Sequence, residues 1–218
     1  MRAQVVGARR TAEELGRAFP GVPVRTSGGE AVLDHVRAAG ELIVATPGAE
    51  PVAEGGYGAA LLLDGWALLG RADLRAAEET LRRWMNAAAL VRRDGHVVVG
   101  ADAAIPTVQA LIRWDPAGSA GRELADRREL GFPPATRMAA LTGSPAALQD
   151  VPGLLRLPSG AELIGPVPAA GNEQRLLIRT PREQGAALAV AVRQALSVRS
   201  ARKDSAVLRA VLDPAVLG

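Results

Sequence analysis

A glycine and a double proline interrupt the chain at residues 131–134, Gly-Phe-Pro-Pro, and separate two segments with different patterns. Residues 117–130 carry apolar and charged side chains at helical spacing. A glycine directly after such a segment, followed by prolines, is typical of a helix end. We therefore predict a linking helix and proline-rich boundary at residues 116–134, between a first domain at 1–115 and a second at 135–218.

The first segment alternates short apolar runs with helical patterns. The predicted strands are residues 3–7, 22–26, 41–46, 57–64 and 96–101. The predicted helices are residues 11–19, 31–39, 74–91 and 106–113. Strands that alternate with helices in this way are typical of an α/β domain, with a parallel sheet buried on both faces.

The second segment has a different order. Its predicted strands are residues 136–143, 161–167, 174–180 and 206–213, and its predicted helices are residues 145–151 and 183–196. The order βαββαβ is that of a ferredoxin-like α+β domain, and the segment is short enough to form one small domain.

Composition excludes several classes of protein. With 218 residues, 48% of them hydrophobic, the chain can bury a sizeable core. It has no cysteine and only two histidines, so we expect no disulfide, no zinc site and no bound cofactor. No apolar run is long enough for a signal peptide or a membrane span, which predicts a cytoplasmic protein. The net charge of +3 is carried almost entirely by arginine, so charge alone is weak support for nucleic-acid binding.

Several short segments, in order along the chain, resemble one family. They are RTAEELGRAFPGVPV, VATPGAEP, DLRAAEETLRRWMNAAALVRR, ELADRRELGFPP, GPVPA and LDP. The last three resemble the ELxxRxxLxxPP, GPxPA and DxDP signatures of the primosomal protein N′ family, and the match spans essentially the whole chain. The resemblance implies a RecA-like second helicase lobe followed by the family's C-terminal domain, and it is to the actinobacterial type that lacks motor motifs.

The chain departs from the family pattern in the motifs that belong to the ATP-driven motor. Family members carry DFRAxER followed by QxxGRAGR, whose arginines stabilise the charge that develops on ATP phosphate. The corresponding positions, counted from Asp73 without a gap, are Asn86, Ala89, Leu90, Arg92 and Arg93. Leucine replaces the first arginine, and an arginine finger contributes about 10³- to 10⁵-fold in rate. The chain is therefore predicted not to be an enzyme.

The segment VATPGAEP supports the same conclusion. It retains Thr46, but Pro47 and apolar or acidic residues occupy the positions of the family's glutamine and lysine. The chain also has no GxxxxGK(S/T) phosphate-binding loop. Because Met1 falls near the end of the family's zinc module, the resemblance implies a C-terminal part of a longer protein, without the first motor lobe.

A group of basic residues in the second segment forms the candidate DNA-binding site. The residues are Arg175, Arg193, Arg199, Arg202, Lys203 and Arg209. Basic side chains also cluster near a helix C-terminus when they bind no ligand, because the helix dipole stabilises positive charge there. Both interpretations stay open on the residues alone, and the resemblance favours phosphate binding, since the family's domain is linked to branched DNA and single-strand DNA-binding protein.

These observations favour a factor for replication restart and primosome assembly that binds DNA forks without helicase activity. Its expected partners are branched or single-stranded DNA, single-strand DNA-binding protein and primosome components. We expect no membrane binding. Two alternatives remain. One is a docking module for single-strand DNA-binding protein, and the other is one lobe of an ATP-dependent DNA helicase.

Overall fold

A computed structural model of the chain describes residues 7–37, 40–202, 204 and 206–214. The chain divides into two units. The first consists of residues up to Arg71 together with Ala76–Ser119, and the second of Ala72–Arg75 together with residues from Ala120 onward. Segment 72–75 thus belongs to the second unit, although its neighbours in sequence belong to the first. The boundaries predicted at 115 and 134 did not include this assignment.

The described part of the first unit is mixed α/β. Its helices are α1 (Ala8–Ala18), α2 (Gly65–Leu69), α3 (Ala76–Ala89) and α4 (Pro106–Arg113). Its strands are β1 (Val24–Ser27), β2 (His35–Val36), β3 (Leu42–Ala45), β4 (Val52–Ala53), β5 (Tyr57–Leu62) and β6 (Val91–Val99). The strands pair in parallel as β1 with β3, β2 with β4 and β5 with β6. Parallel pairing was predicted and is observed, but as small two-stranded sheets instead of one continuous sheet.

Aliphatic side chains around one tryptophan form the core of this unit. Trp84 and Leu81 of α3 pack with Leu111 of α4 and Leu62 of β5. Trp84 is only 2% exposed, because it occupies the face of α3 that meets α4 and the sheet. Proline at the first position of α4 fits the prediction, since no backbone N–H is needed there.

The predicted helix at residues 31–39 is wrong. The backbone N–H of Leu33 donates to the hydroxyl of Ser27, and Ala31 forms a bridge with Gly28, so a turn replaces the first helical residues. The carbonyl of Asp34 then accepts from Val52 of β4, and the carbonyl of Val36 accepts from Glu54, directly after β4. These hydrogen bonds use the backbone groups that a helix needs, and the segment continues as strand β2. Residues 38 and 39, and residues 3–6 of the first predicted strand, lie outside the described residues.

The strands of the second unit follow the predicted order, but two short helices occupy the place of the first predicted helix. Helix α5 (Pro116–Leu130) leads into it, and the elements that follow are β7 (Thr136–Gly143), α6 (Pro145–Gln149), α7 (Val151–Leu154), β8 (Glu162–Pro168), β9 (Gln174–Pro181), α8 (Gly185–Ala201) and β10 (Leu208–Leu212). The strands form one antiparallel sheet in the order β10-β7-β9-β8. Its core contains Leu141, Ile178 and Leu188, each at most 1% exposed. Among the described residues, no helix has the length and apolarity needed to cross a bilayer.

Arg127 makes several polar contacts within this unit. Its side chain is 9% exposed, and its Nε and Nη2 atoms donate to Glu123 at 2.9 and 2.8 Å. Nη1 donates to the carbonyl of Pro133 at 3.1 Å, and Nη2 also donates to the carbonyl of Leu74. One guanidinium therefore joins α5, the proline turn and segment 72–75, and the signature ELADRRELGFPP has a structural explanation.

The other two C-terminal signatures also stabilise the fold. Gly165, in GPVPA, has φ +103, and an added Cβ would lie 3.0 Å from the Arg175 carbonyl, so this position requires glycine. Asp213, in LDP, accepts from the backbone N–H of Met138 at 3.1 Å and from the guanidinium of Arg137. The signatures therefore identify the fold and do not by themselves locate a binding site.

Candidate nucleic-acid interface

The structure does not gather the predicted basic residues into one patch. Arg193, in the middle of α8, and Arg202, directly after its last residue, are both exposed. They lie nine residues apart, which is about two and a half turns and so places them on opposite sides of the helix. Lys203 lies outside the described residues.

Arg199 has a structural role in the fold. Its side chain is 6% exposed, with Nη1 3.1 Å from the carboxylate of Asp204 and Nη2 donating to the carbonyl of Ala206 at 3.1 Å. These contacts join α8 to Asp204 and Ala206, which precede β10. A guanidinium in this position cannot reach a phosphate without leaving its partners, so we exclude Arg199 from the proposed interface.

Arg209 and Arg175 lie together on the sheet. Strand register places Arg209 opposite Thr142, and Thr142 opposite Arg175, so the three form a row across β10, β7 and β9. Adjacent strands are about 5 Å apart, which puts the two arginine Cα atoms about 10 Å apart. Nε of Arg175 donates to the Thr142 hydroxyl at 3.3 Å. We call Arg209, Thr142 and Arg175 the arginine row.

The arginine row lies on the sheet face opposite α8. Leu141 and Leu176, its neighbours in sequence, pack against α8, and side chains alternate between the two faces of a sheet. The same alternation puts Arg179 on the face of the row. Thr142 and Arg179 were not among the residues predicted from sequence, although the spacing of Arg175 and Arg179 in QRLLIRT predicts that they share a face.

Two glutamates accompany the arginines on this face. Glu173 forms an ion pair with Arg209, and Glu162 forms one with Arg179 at 2.5 Å. Both pairs are partly solvent-exposed, and Arg209 itself is 60% exposed. Such ion pairs are weak and exchange readily, so the arginines remain accessible to a stronger anionic ligand.

In the segments that correspond to the family's motor motifs, several polar groups are paired with other groups of the chain. The carboxylate of Glu50 accepts the backbone N–H of Gly48 at 2.9 and 3.0 Å, so this N–H is paired within its own loop. Arg92 pairs with Asp94 at 2.9 Å. The carbonyl of Leu90 accepts from Tyr57, which joins the end of α3 to β5.

Helix α3 carries a compact charge cluster. Hydrogen bonds from Arg82 and Arg83 lower the pKa of Glu79 to about 2, with Arg82 the larger influence. Arg83 also donates to the Pro47 carbonyl at 3.2 Å, joining α3 to the VATPGAEP segment. The residues that continue the motif from Asp73 thus stabilise this unit.

Acid titration should reveal this cluster. The pKa of Glu79 is lower in the folded protein than its ordinary value of 4.5, so ionised Glu79 contributes stability that is fully present above pH 4.5 and is lost as the pH falls towards about 2. Thermal unfolding between pH 5 and 2 should show a shallower loss of midpoint for Glu79→Gln than for the original chain. Identical slopes would contradict the assignment.

Comparison with known proteins defines the class of the second unit. Residues 128–215 match the family model described as Primosomal protein N C-terminal domain. The matched range contains the whole antiparallel sheet and the arginine row. The second unit is therefore a C-terminal domain of the primosomal type.

Relatives extend the match to the whole chain. It is 54% identical over 233 residues to the probable replication restart protein PriA of Mycobacterium leprae, covering 100% of this chain and 36% of the relative. It is 51% identical over 240 residues to the protein of the same name from Mycobacterium tuberculosis, covering 100% of this chain and 37% of the relative. Over its whole length the chain is therefore similar to a C-terminal part of these PriA proteins, as the sequence signatures predicted. It spans little more than a third of the length of these relatives.

Proposed function

We propose that the chain acts in DNA replication restart by binding branched DNA and supporting primosome assembly, without helicase activity of its own. The observation that carries the DNA-binding part is the arginine row, with Arg175 and Arg209 on one sheet face and Arg209 60% exposed. Guanidinium groups are suited to bidentate contacts with phosphate oxygens. Arg193 and Arg202 of α8 lie on the other side of the sheet from the row, so they would add contacts only to a DNA that reaches around this domain.

The proposal that the chain has no helicase activity depends on the segments that correspond to the family's motor motifs. Leu90 stands where the family has an arginine, and its neutral side chain cannot stabilise phosphate charge. Glu50 presents a carboxylate to Gly48, which would repel the phosphates of a nucleotide. In this proposal the first unit is a RecA-like lobe that has become a scaffold, and the second is a ferredoxin-like domain whose sheet order is β10-β7-β9-β8.

The proposed setting follows from this role. The partners would be branched or single-stranded DNA, single-strand DNA-binding protein and primosome components, and the site of action would be the cytoplasm. Neither a metal nor a nucleotide cofactor is needed for an interface made of arginine side chains.

The direct test is binding of the 218-residue chain to labelled branched DNA at 50 and 200 mM salt, with ATP turnover followed in the same samples. We expect affinity to fall steeply with salt, because each phosphate contact releases counterions, and we expect turnover at the background rate. An affinity independent of salt would contradict phosphate binding. DNA-stimulated ATP turnover would instead favour the helicase-lobe alternative.

The docking alternative has a distinct outcome. Strand β8 lies at the edge of the sheet beside β9, and its Leu163, Ile164 and Val167 are 36 to 40% exposed. An apolar edge beside arginines suits a peptide with acidic and apolar residues. Binding of the tail peptide of single-strand DNA-binding protein, together with negligible affinity for branched DNA, would favour this alternative.

A further inference from the structure

Glu173 lies where the connection between β8 and β9 meets the arginine row. Its carboxylate accepts from Nη2 of Arg209, and its backbone carbonyl accepts from the N–H of Ala169 at 2.9 Å. The backbone hydrogen bond closes the connection, and the ion pair with Arg209 places the carboxylate beside the row. The side chain of Glu173 is 32% exposed, and Arg209 is the more exposed partner.

This ion pair places an internal anion in contact with the most exposed arginine of the row. A DNA phosphate and the Glu173 carboxylate would accept the same guanidinium N–H groups, so they cannot both bind Arg209 fully. An exposed ion pair is weak, whereas a phosphate can form a bidentate contact and release counterions. DNA can therefore displace Glu173, and the displacement lowers the affinity.

We propose that Glu173 competes with DNA phosphate for Arg209 and so sets the affinity of the arginine row for a phosphodiester backbone. The inference rests on the proposed DNA-binding function and adds a residue that limits it. The binding surface consists of Arg209, the Thr142 hydroxyl and Arg175, and Glu173 is the internal occupant of its most exposed member. The other charged pair on this face, Glu162 with Arg179, lies at the opposite edge of the sheet, across β8 and β9.

The test compares Glu173→Gln with Glu162→Gln in the 218-residue chain. Each substitution removes one negative charge from the same sheet face, but only the first frees Arg209. We expect Glu173→Gln to bind labelled branched DNA about threefold more tightly at 100 mM salt, and Glu162→Gln to change affinity much less. Equal gains for the two variants would reduce the effect to overall charge and overturn the proposal.

A second pair of variants locates the effect on Arg209. Arg209→Gln should weaken binding and reduce the slope of affinity against salt by about one phosphate contact. In the Arg209→Gln background, Glu173→Gln should no longer increase affinity. A gain that persists without Arg209 would overturn the competition. If the original chain binds DNA but Glu173→Gln binds it no more tightly, only this inference fails. If the original chain does not bind DNA at all, the proposed function fails as well.

Discussion

Replacing Arg127 by methionine is expected to lower the free energy of unfolding by about 3 kcal/mol, the size typical of breaking a buried charged contact. Methionine fills part of the volume but donates no hydrogen bond. The carbonyls of Leu74 and Pro133 would each lose a donor, and Glu123 would lose its counter-ion. Because Glu123 is about one-third exposed and can be hydrated, the loss should lie at the lower end of the range for buried pairs.

Arg128 provides a matched control for this substitution. It is the next residue of α5, carries the same charge, and is exposed to solvent. Arg128→Met should change stability by no more than about 0.5 kcal/mol, as is usual for surface positions. Urea unfolding followed by circular dichroism measures both variants, and equal stabilities would show that the Arg127 contacts contribute nothing.

Replacing Arg199 by methionine is expected to cost about 2 kcal/mol in stability, because hydrogen bonds from a charged donor contribute about 1.5 to 3 kcal/mol. Methionine cannot form the ion pair with Asp204 or donate to the Ala206 carbonyl, so α8 would lose its contacts with these two residues. Asp204 is 39% exposed and can be hydrated, which keeps the loss moderate. Urea unfolding again supplies the measurement.

The matched control here is Arg202→Met, three residues further along and exposed. Arg202→Met should leave stability unchanged and weaken DNA binding modestly, whereas folded Arg199→Met should bind DNA nearly as well as the original chain at low temperature. The opposite result, a stable Arg199→Met variant that has lost DNA binding, would restore Arg199 to the interface.

Predictions from sequence succeeded where hydrophobic pattern and chain-stop residues agreed. Helix α4 begins at Pro106 as predicted, and α5 ends before Gly131, whose φ is +68. The helix predicted at residues 31–39 failed because the Ser27 hydroxyl and strand β4 use its backbone groups. Both contacts come from residues outside the predicted helix, so a local pattern could not reveal them.

The candidate site was predicted in part for a similar reason. Arg199 was placed at the surface because it lies near a helix end, but its spacing from Leu188, Val192 and Ala195 puts it on the buried face of α8. That signal was present in the sequence. The alignment of Arg175 with Arg209 was not, because it depends on the register of β7 between β9 and β10.

The membership of residues 72–75 in the second unit has a practical consequence for dissecting this protein. A fragment that begins at residue 120 would contain Arg127 but not the Leu74 carbonyl that accepts from it. A fragment that ends at residue 119 would carry segment 72–75 without the unit it packs in. No single cut separates the two units with all of their residues, and a C-terminal fragment would keep the contacts of Arg127 with Glu123 and Pro133 but lose the contact with Leu74.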